Sequence, residues 1–129
     1  MPITALYAGL LAPLLVVLAF RVIAYRRGAT IPVGDGGDKV LLRRMRVHAN
    51  FTEYVPLTLL LMALAEGLKT DPRLLHAMGI ALVVARLSHA IGMSQAKENF
   101  AFRVTGMAMT FTVILVAALA CLMGAFGRL

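Results

Sequence analysis

The sequence has few acidic side chains, one cysteine and no tryptophan. Six acidic residues stand against thirteen basic ones, so the formal net charge is +7. A lone cysteine, Cys121, excludes an intramolecular disulfide and any zinc site built from several cysteines. The histidines at positions 48, 76 and 89 are not at metal-ligand spacing, so we expect no metal site.

Charge is missing altogether from two long stretches, residues 2–20 and 104–127. Hydrophobic residues make up 60% of the 129-residue chain, which excludes an ordinary soluble domain. Each stretch is close to the length of about 20 apolar residues that crosses a bilayer. Apolar runs at 54–65 and 74–85 reach that length only by including polar residues at one end. We therefore predict an all-α integral membrane protein, one domain over residues 1–129, with transmembrane helices at about 3–25, 39–66, 72–93 and 101–126.

The distribution of basic residues argues for membrane topology and against nucleic-acid binding. Seven of the thirteen lie between Arg21 and Arg46, in and around the first loop. By the positive-inside rule, the first and third loops are then cytoplasmic and both termini lie outside. Short connections between consecutive spans predict an up-down four-helix bundle. The expected partner is therefore the lipid bilayer and not DNA or RNA.

Polar residues converge on the predicted cytoplasmic ends of three helices. At 100° per residue, one face of helix two, roughly 80° wide, carries a polar stripe. The stripe consists of Arg43, Arg46, Asn50 and Glu53, with Tyr54 beside it. Arg86 and His89 share a face of helix three, and Arg103 begins helix four. Because charged groups at membrane depth are costly unless they pair, line a wet cavity or bind a ligand, this convergence predicts a functional site.

Structural interpretations of the same residues remain open. Arg43 and Arg103, taken singly, are typical of interfacial anchors whose charged ends reach the headgroups. Glu53 could pair with Arg46 or Arg86 and so close the bundle. Asp38 is expected to cap the second helix, and Pro72 to open the third.

Two segments resemble the signatures of a known family. R-V-H-A-N-F-T-E-Y-V-P-L, residues 46–57, is similar to the R-x-x-x-N-x-x-E-Y-x-P motif of the MAPEG family, the membrane-associated proteins in eicosanoid and glutathione metabolism. R-L-S-H-A-I-G in helix three and F-R-V-T-G in helix four are similar to its second signature. The likeness covers nearly the whole chain. It implies a four-helix bundle that forms a homotrimer, with glutathione held between neighbouring subunits near the cytoplasmic face.

The resemblance also implies roles for individual residues. Arg103 matches an arginine proposed to hold the glutathione thiolate, and it is the expected catalytic residue. Arg26 or Arg27 would reach the ligand from the adjacent subunit. Glutathione has two carboxylates and one ammonium, so its site needs mostly cations and one anion. The residues expected to bind it are Arg26, Arg43, Arg46, Asn50, Glu53, Tyr54, Arg86 and His89.

One departure from the family pattern bears on activity. Where the eicosanoid-forming members have a tyrosine one turn after the His89 position, this chain has Met93, and the pocket loses a hydroxyl. We expect a glutathione-dependent transferase or peroxidase that acts on lipophilic electrophiles or hydroperoxides. The compact length and the lack of a retention tail favour a bacterial inner membrane. The alternatives are a non-catalytic lipid-binding protein of the same fold and a small proton-coupled transporter with Glu53 as proton carrier.

Overall fold

The computed structural model describes residues 1–95 and 97–129, and this part of the chain consists of four helices and their connections. The helices are α1 (Pro2–Ala29), α2 (Lys39–Gly67), α3 (Pro72–Ser94) and α4 (Phe100–Phe126). The four predicted helices are therefore present. Helix α1 continues four residues beyond the predicted end and stops at Thr30, which has a left-handed backbone. The predicted third loop includes residue 96, which lies outside the described residues.

The starts of α2 and α3 follow the capping chemistry that the sequence indicates. The carboxylate of Asp38 accepts hydrogen bonds from the backbone nitrogens of Val40, at 2.8 Å, and Leu41, at 3.1 Å. These bonds satisfy two of the amide groups that a helix leaves without partners at its N-terminus. Asp71 caps α3 in the same way, and Pro72 takes the first helical position, where it needs no amide hydrogen. Both expectations are confirmed.

Three helices, α1, α3 and α4, are long and apolar enough to cross a membrane. Within the described residues α2 does not meet that condition, although it has 29 residues. Its first half contains five charged residues, Lys39, Arg43, Arg44, Arg46 and Glu53, together with the polar His48 and Asn50. Helix α2 nevertheless packs against each of the other three helices. Its passage through the bilayer stays a prediction, whereas composition supports the other three spans.

Helices α2 and α3 form the centre of the bundle. Helix α1 packs against both on one side, and α4 packs against both on the other. In the described part of the chain α1 and α4 do not touch. Leu11, Met62 and Leu82 fill the interior and are at most 2% exposed, whereas large apolar side chains of α1 and α4 point outward, as lipid-facing surfaces require.

Glycine sets the distance between α3 and α4. A Cβ atom on Gly106 would lie 2.6 Å from the carbonyl oxygen of Ala85 and 2.8 Å from the backbone nitrogen of His89. The two helix backbones are therefore in direct contact, which a residue with a side chain would prevent. This contact brings the polar end of α3 up against α4.

Candidate functional site

Arg86 is the polar centre of the bundle, and its side chain is only 1% exposed. Its Nη2 donates to Oδ1 of Asn50 on α2 at 2.6 Å, and it lies 3.4 Å from Nδ1 of His89 on α3. Its Nη1 donates to Oγ1 of Thr110 on α4 at 3.4 Å. One guanidinium thus connects three helices.

The positive charge of Arg86 has no carboxylate partner among the described residues. Its Nε is buried without a hydrogen-bond partner in that part of the chain. The ring of Phe51 lies 5.9 Å away, at the outer limit of a cation–π contact. Burying an unpaired guanidinium is unfavourable, and an anion nearby would relieve that cost. The electrostatics therefore favour a negatively charged ligand close to this group.

His89 is held by the same network and is also 1% exposed. A guanidinium can only donate, so the Nδ1 that faces Arg86 is the acceptor and the ring proton belongs on Nε2. Its backbone nitrogen lies at the close crossing with Gly106. Packing and hydrogen bonding together fix both the position and the tautomer of this imidazole.

The polar stripe on α2 divides between the inside and the outside of the helical bundle. Asn50 and Tyr54 are half-buried, and the ring of Tyr54 packs edge-on against Phe111 of α4 at 5.3 Å between centroids. Arg46 and Glu53 are exposed. Within the described residues Glu53 forms no ion pair with Arg46 or Arg86, so the interpretation that such a pair closes the bundle is wrong.

Arg103 lies in the first turn of α4 and forms an ion pair that the sequence reading missed. Its Nη1 is 2.6 Å from Oε1 of Glu98, and the two side chains are 43% and 29% exposed. Gly92 brings this turn against α3, because a Cβ there would lie 2.8 Å from the backbone nitrogen of Arg103. Only the five-residue spacing of Glu98 and Arg103 could have indicated this ion pair. The helix begins between the two residues, so helical periodicity does not predict their contact.

Two further predicted residues lie apart from the Arg86 network. Arg26 donates to the carbonyl oxygen of Gly34 at 2.6 Å and contacts the sulfur of Met45 at 3.3 Å, so it supports the first loop. Arg43 donates to the carbonyl oxygen of Gln95 at 3.0 Å, at the end of α3. Among the predicted site residues, hydrogen bonds therefore group Asn50, Arg86 and His89. The other six, Arg26, Arg43, Arg46, Glu53, Tyr54 and Arg103, are not joined to that group by any hydrogen bond in the described part of the chain.

A second polar group, not singled out from the sequence, lies between the ends of α1, α2 and α3. Arg21 donates to Oγ of Ser94 at 2.6 Å, and Arg44 donates to the carbonyl oxygen of Arg21 at 3.0 Å. These residues line a cavity of about 270 Å³, to which Met93 also contributes. Arg21 directly follows the uncharged run 2–20, and that position was the signal that could have drawn attention to it.

All the residues of the candidate site lie in the part of the chain that matches the model of one protein family. The model of the MAPEG family matches residues 4–123. The chain is 35% identical over 118 residues to inner membrane protein YecN of Escherichia coli strain K12. The aligned region covers 92% of this chain and 88% of YecN. The YecN protein of Escherichia coli O6:H1, strain CFT073, matches to the same extent.

Proposed function

The chain belongs to the MAPEG family, and from that membership we propose that it is a membrane-embedded, glutathione-dependent transferase or peroxidase. It activates glutathione as the thiolate for attack on lipophilic electrophiles or hydroperoxides. The related YecN is named an inner membrane protein, and we propose the same bacterial location for this chain. In this proposal both termini lie outside, and the site is near the cytoplasmic face.

The observation that carries the proposal is the buried guanidinium of Arg86, which holds Asn50 and His89 while lacking a carboxylate partner in the described residues. Glutathione brings two carboxylates, either of which would lower the cost of this buried charge. Asn50 and His89 would then present an amide and an imidazole, with orientations already fixed, to the peptide groups of the ligand. Preorganised polar groups of this kind support binding at little further entropic cost.

Arg46 and Glu53 fit the charged end of the same ligand. They are seven residues apart on one face of α2, which separates them by about 10 Å along the helix axis. An arginine suits a carboxylate and a glutamate suits an ammonium, and glutathione carries both kinds of group. Because both side chains point out of the subunit, we propose that a neighbouring subunit covers them in a homotrimer, with Arg26 reaching the ligand across that interface.

Arg103 is the proposed thiolate-stabilising residue. A cation that lowers the pKa of a thiol by two units contributes about 2.7 kcal/mol to the thiolate form. The thiolate then forms a carbon–sulfur bond while the leaving group departs with its electron pair. With a hydroperoxide, it forms a sulfur–oxygen bond as the oxygen–oxygen bond breaks and the alkoxide takes up a proton. A second glutathione then displaces water and forms the disulfide.

A non-catalytic, lipid-binding role is the second candidate, and two observations favour it. The guanidinium of Arg103 is engaged by Glu98, which competes with a thiolate for the same charge. Met93 offers no hydroxyl where the eicosanoid-forming members have a tyrosine. A protein of this kind would keep the bundle and present a fatty acid without chemistry.

Turnover and binding measured on the same preparation separate the two candidates. Purified protein in detergent is assayed with glutathione plus 1-chloro-2,4-dinitrobenzene or cumene hydroperoxide, and glutathione binding is measured by calorimetry. We expect saturable turnover with at least one electrophile, lost in Arg46→Ala and kept in Arg128→Ala, a control at the far end of the chain. Binding without turnover would favour the lipid-binding candidate. Folded protein that binds no glutathione would contradict both the enzyme and its site.

A further inference from the structure

The cavity between the ends of α1, α2 and α3 gathers positive charge without acidic side chains in its described lining. Its volume is about 270 Å³, and Arg21, Arg43 and Arg44 all line it. Asp38, the acidic residue at the start of α2, is occupied by its capping bonds and by the hydroxyl of Tyr25 at 2.8 Å. The guanidinium groups of Arg21 and Arg44, brought together in this way, repel each other. An anion inside the cavity would remove that repulsion.

The donor groups of the cavity suit the oxygens of a phosphate. The guanidinium of Arg21 donates to Oγ of Ser94, which leaves the serine O–H directed elsewhere as a donor. Arg44 uses Nη1 for the carbonyl oxygen of Arg21, and its plane lies over the ring of Tyr25 at 4.8 Å. This stacking holds the guanidinium in place, and its other N–H groups can donate to the oxygens of an anion. Arginine forks held in fixed positions are typical of phosphate recognition.

An apolar groove continues from this cavity along the outside of the bundle. It lies between α1 and α3, has a volume of about 160 Å³ and shares Arg21 and Ser94 with the cavity. Its apolar lining consists of Leu14, Val17, Leu18, Leu87, Ala90 and Ile91. Arg21 follows Leu14 by seven positions of the helix, so the groove extends about 10 Å from the polar end toward the middle of the bundle. Val17 and Ile91 are 54% and 51% exposed, which leaves the groove open to lipid.

We propose that the cavity and the groove together bind one anionic phospholipid of the bilayer. The phosphate lies against Arg21, Arg44 and Ser94, and one acyl chain follows the groove between α1 and α3. The positive charge of the cavity favours a ligand with an anionic headgroup. Because the apolar groove begins at the cavity, the site also favours a ligand whose headgroup carries an acyl chain. The basic first loop faces the leaflet in which anionic lipids attract arginine and lysine. This inference concerns a site within one subunit and does not depend on glutathione.

Native mass spectrometry of the full-length protein, stripped of lipid in detergent, tests the proposal. The protein is titrated with phosphatidylglycerol, with phosphatidylcholine of the same chains, and with glycerol phosphate as a headgroup without chains. We expect phosphatidylglycerol to bind at least tenfold more tightly than phosphatidylcholine. Arg21→Gln and Arg44→Gln should each reduce that preference at least fivefold. The matched control is Arg27→Gln, which removes the same charge from an exposed position on the same helix outside the cavity.

Several outcomes would overturn the inference. Equal binding of the two phospholipids would mean that the groove binds acyl chains without distinguishing the charge of the headgroup. Competition by glycerol phosphate as strong as that of the lipid would mean a site for soluble phosphate. An equal loss in Arg27→Gln would mean a diffuse surface effect.

Folding is checked by the helical circular dichroism of each variant. If a glutamine variant unfolds, Arg21→Lys and Arg44→Lys replace it, because they keep the charge and lose the planar fork. We then expect an intermediate preference for phosphatidylglycerol. A lysine variant with the full preference of the wild type would contradict the specific arginine contacts.

Discussion

Substitution of Gly106 by alanine tests whether the contact between α3 and α4 is as close as described. The new Cβ would meet the carbonyl oxygen of Ala85 at 2.6 Å, and the backbone nitrogen and Cβ of His89 at 2.8 and 2.9 Å. None of these atoms belongs to the end of a flexible side chain, so the helices themselves must move apart. Overpacking of this kind costs about 3 kcal/mol at the upper end of its range. Alanine also favours the helix over glycine by about 1 kcal/mol, so the net loss in the free energy of unfolding is about 2 kcal/mol.

Gly9→Ala provides the matched control, because a Cβ on Gly9 has nothing within 4 Å and the residue is exposed in the first half of α1. The same chemical change there should stabilise the protein by about 0.5–1 kcal/mol. The two variants should therefore differ by about 3 kcal/mol in the free energy of unfolding, or about two powers of ten in the unfolding equilibrium. Unfolding is followed by circular dichroism as the detergent is replaced by increasing fractions of dodecyl sulfate.

A Gly106→Ala protein as stable as Gly9→Ala would contradict a backbone contact this close between α3 and α4. The contact also positions His89, so a second readout is available. Gly106→Ala should weaken glutathione binding, whereas Gly9→Ala should leave it unchanged. A Gly106→Ala protein that is destabilised but binds glutathione normally would separate the packing argument from the proposed role of His89.

Three more variants test other parts of the structure. Asn50→Ala should lower the free energy of unfolding by about 1.5–3 kcal/mol in the same titration, because Arg86 loses its 2.6 Å hydrogen bond; an unchanged stability would contradict that contact. Glu98→Gln should change stability by less than about 1 kcal/mol, because the pair is partly exposed, yet tighten glutathione binding in calorimetry by releasing Arg103. Backbone N–H groups of α2 and a tyrosine hydroxyl hold the pKa of Asp38 below its ordinary value. Its stabilising effect is therefore present above about pH 4 and is lost as the pH falls through the lower folded pKa, so acid unfolding should be shallower in Asp38→Asn.

Local chemistry made the helices predictable. Uncharged runs placed α1 and α4, and the turn residues Asp38 and Pro72 marked the beginnings of α2 and α3. The end of α1 was less predictable, because Arg26 and Arg27 are good helix formers and favour the last turn of a helix, so the helix continues through them to Thr30.

The sequence predicted which polar residues share a helix face, but not which of them the structure brings together. Periodicity puts Arg46, Asn50 and Glu53 on one face of α2, and the structure turns Asn50 toward Arg86 while the other two point outward. The rotation of α2 relative to α3 depends on packing over the whole bundle, and a stripe roughly 80° wide can straddle the edge of a helix contact. The contact between Arg21 and Ser94 joins residues 73 positions apart, which no local pattern indicates.

Absorbance of the glutathione thiolate at about 240 nm reports directly whether this protein activates glutathione. Glutathione is titrated at neutral pH into the detergent-purified wild type and into Arg103→Ala, and Arg128→Ala serves as the charge-matched control. We expect a saturable thiolate signal in the wild type and in the control. The signal should disappear in Arg103→Ala although glutathione still binds. A folded wild-type protein that gives no thiolate signal at saturating glutathione would contradict glutathione activation by this chain.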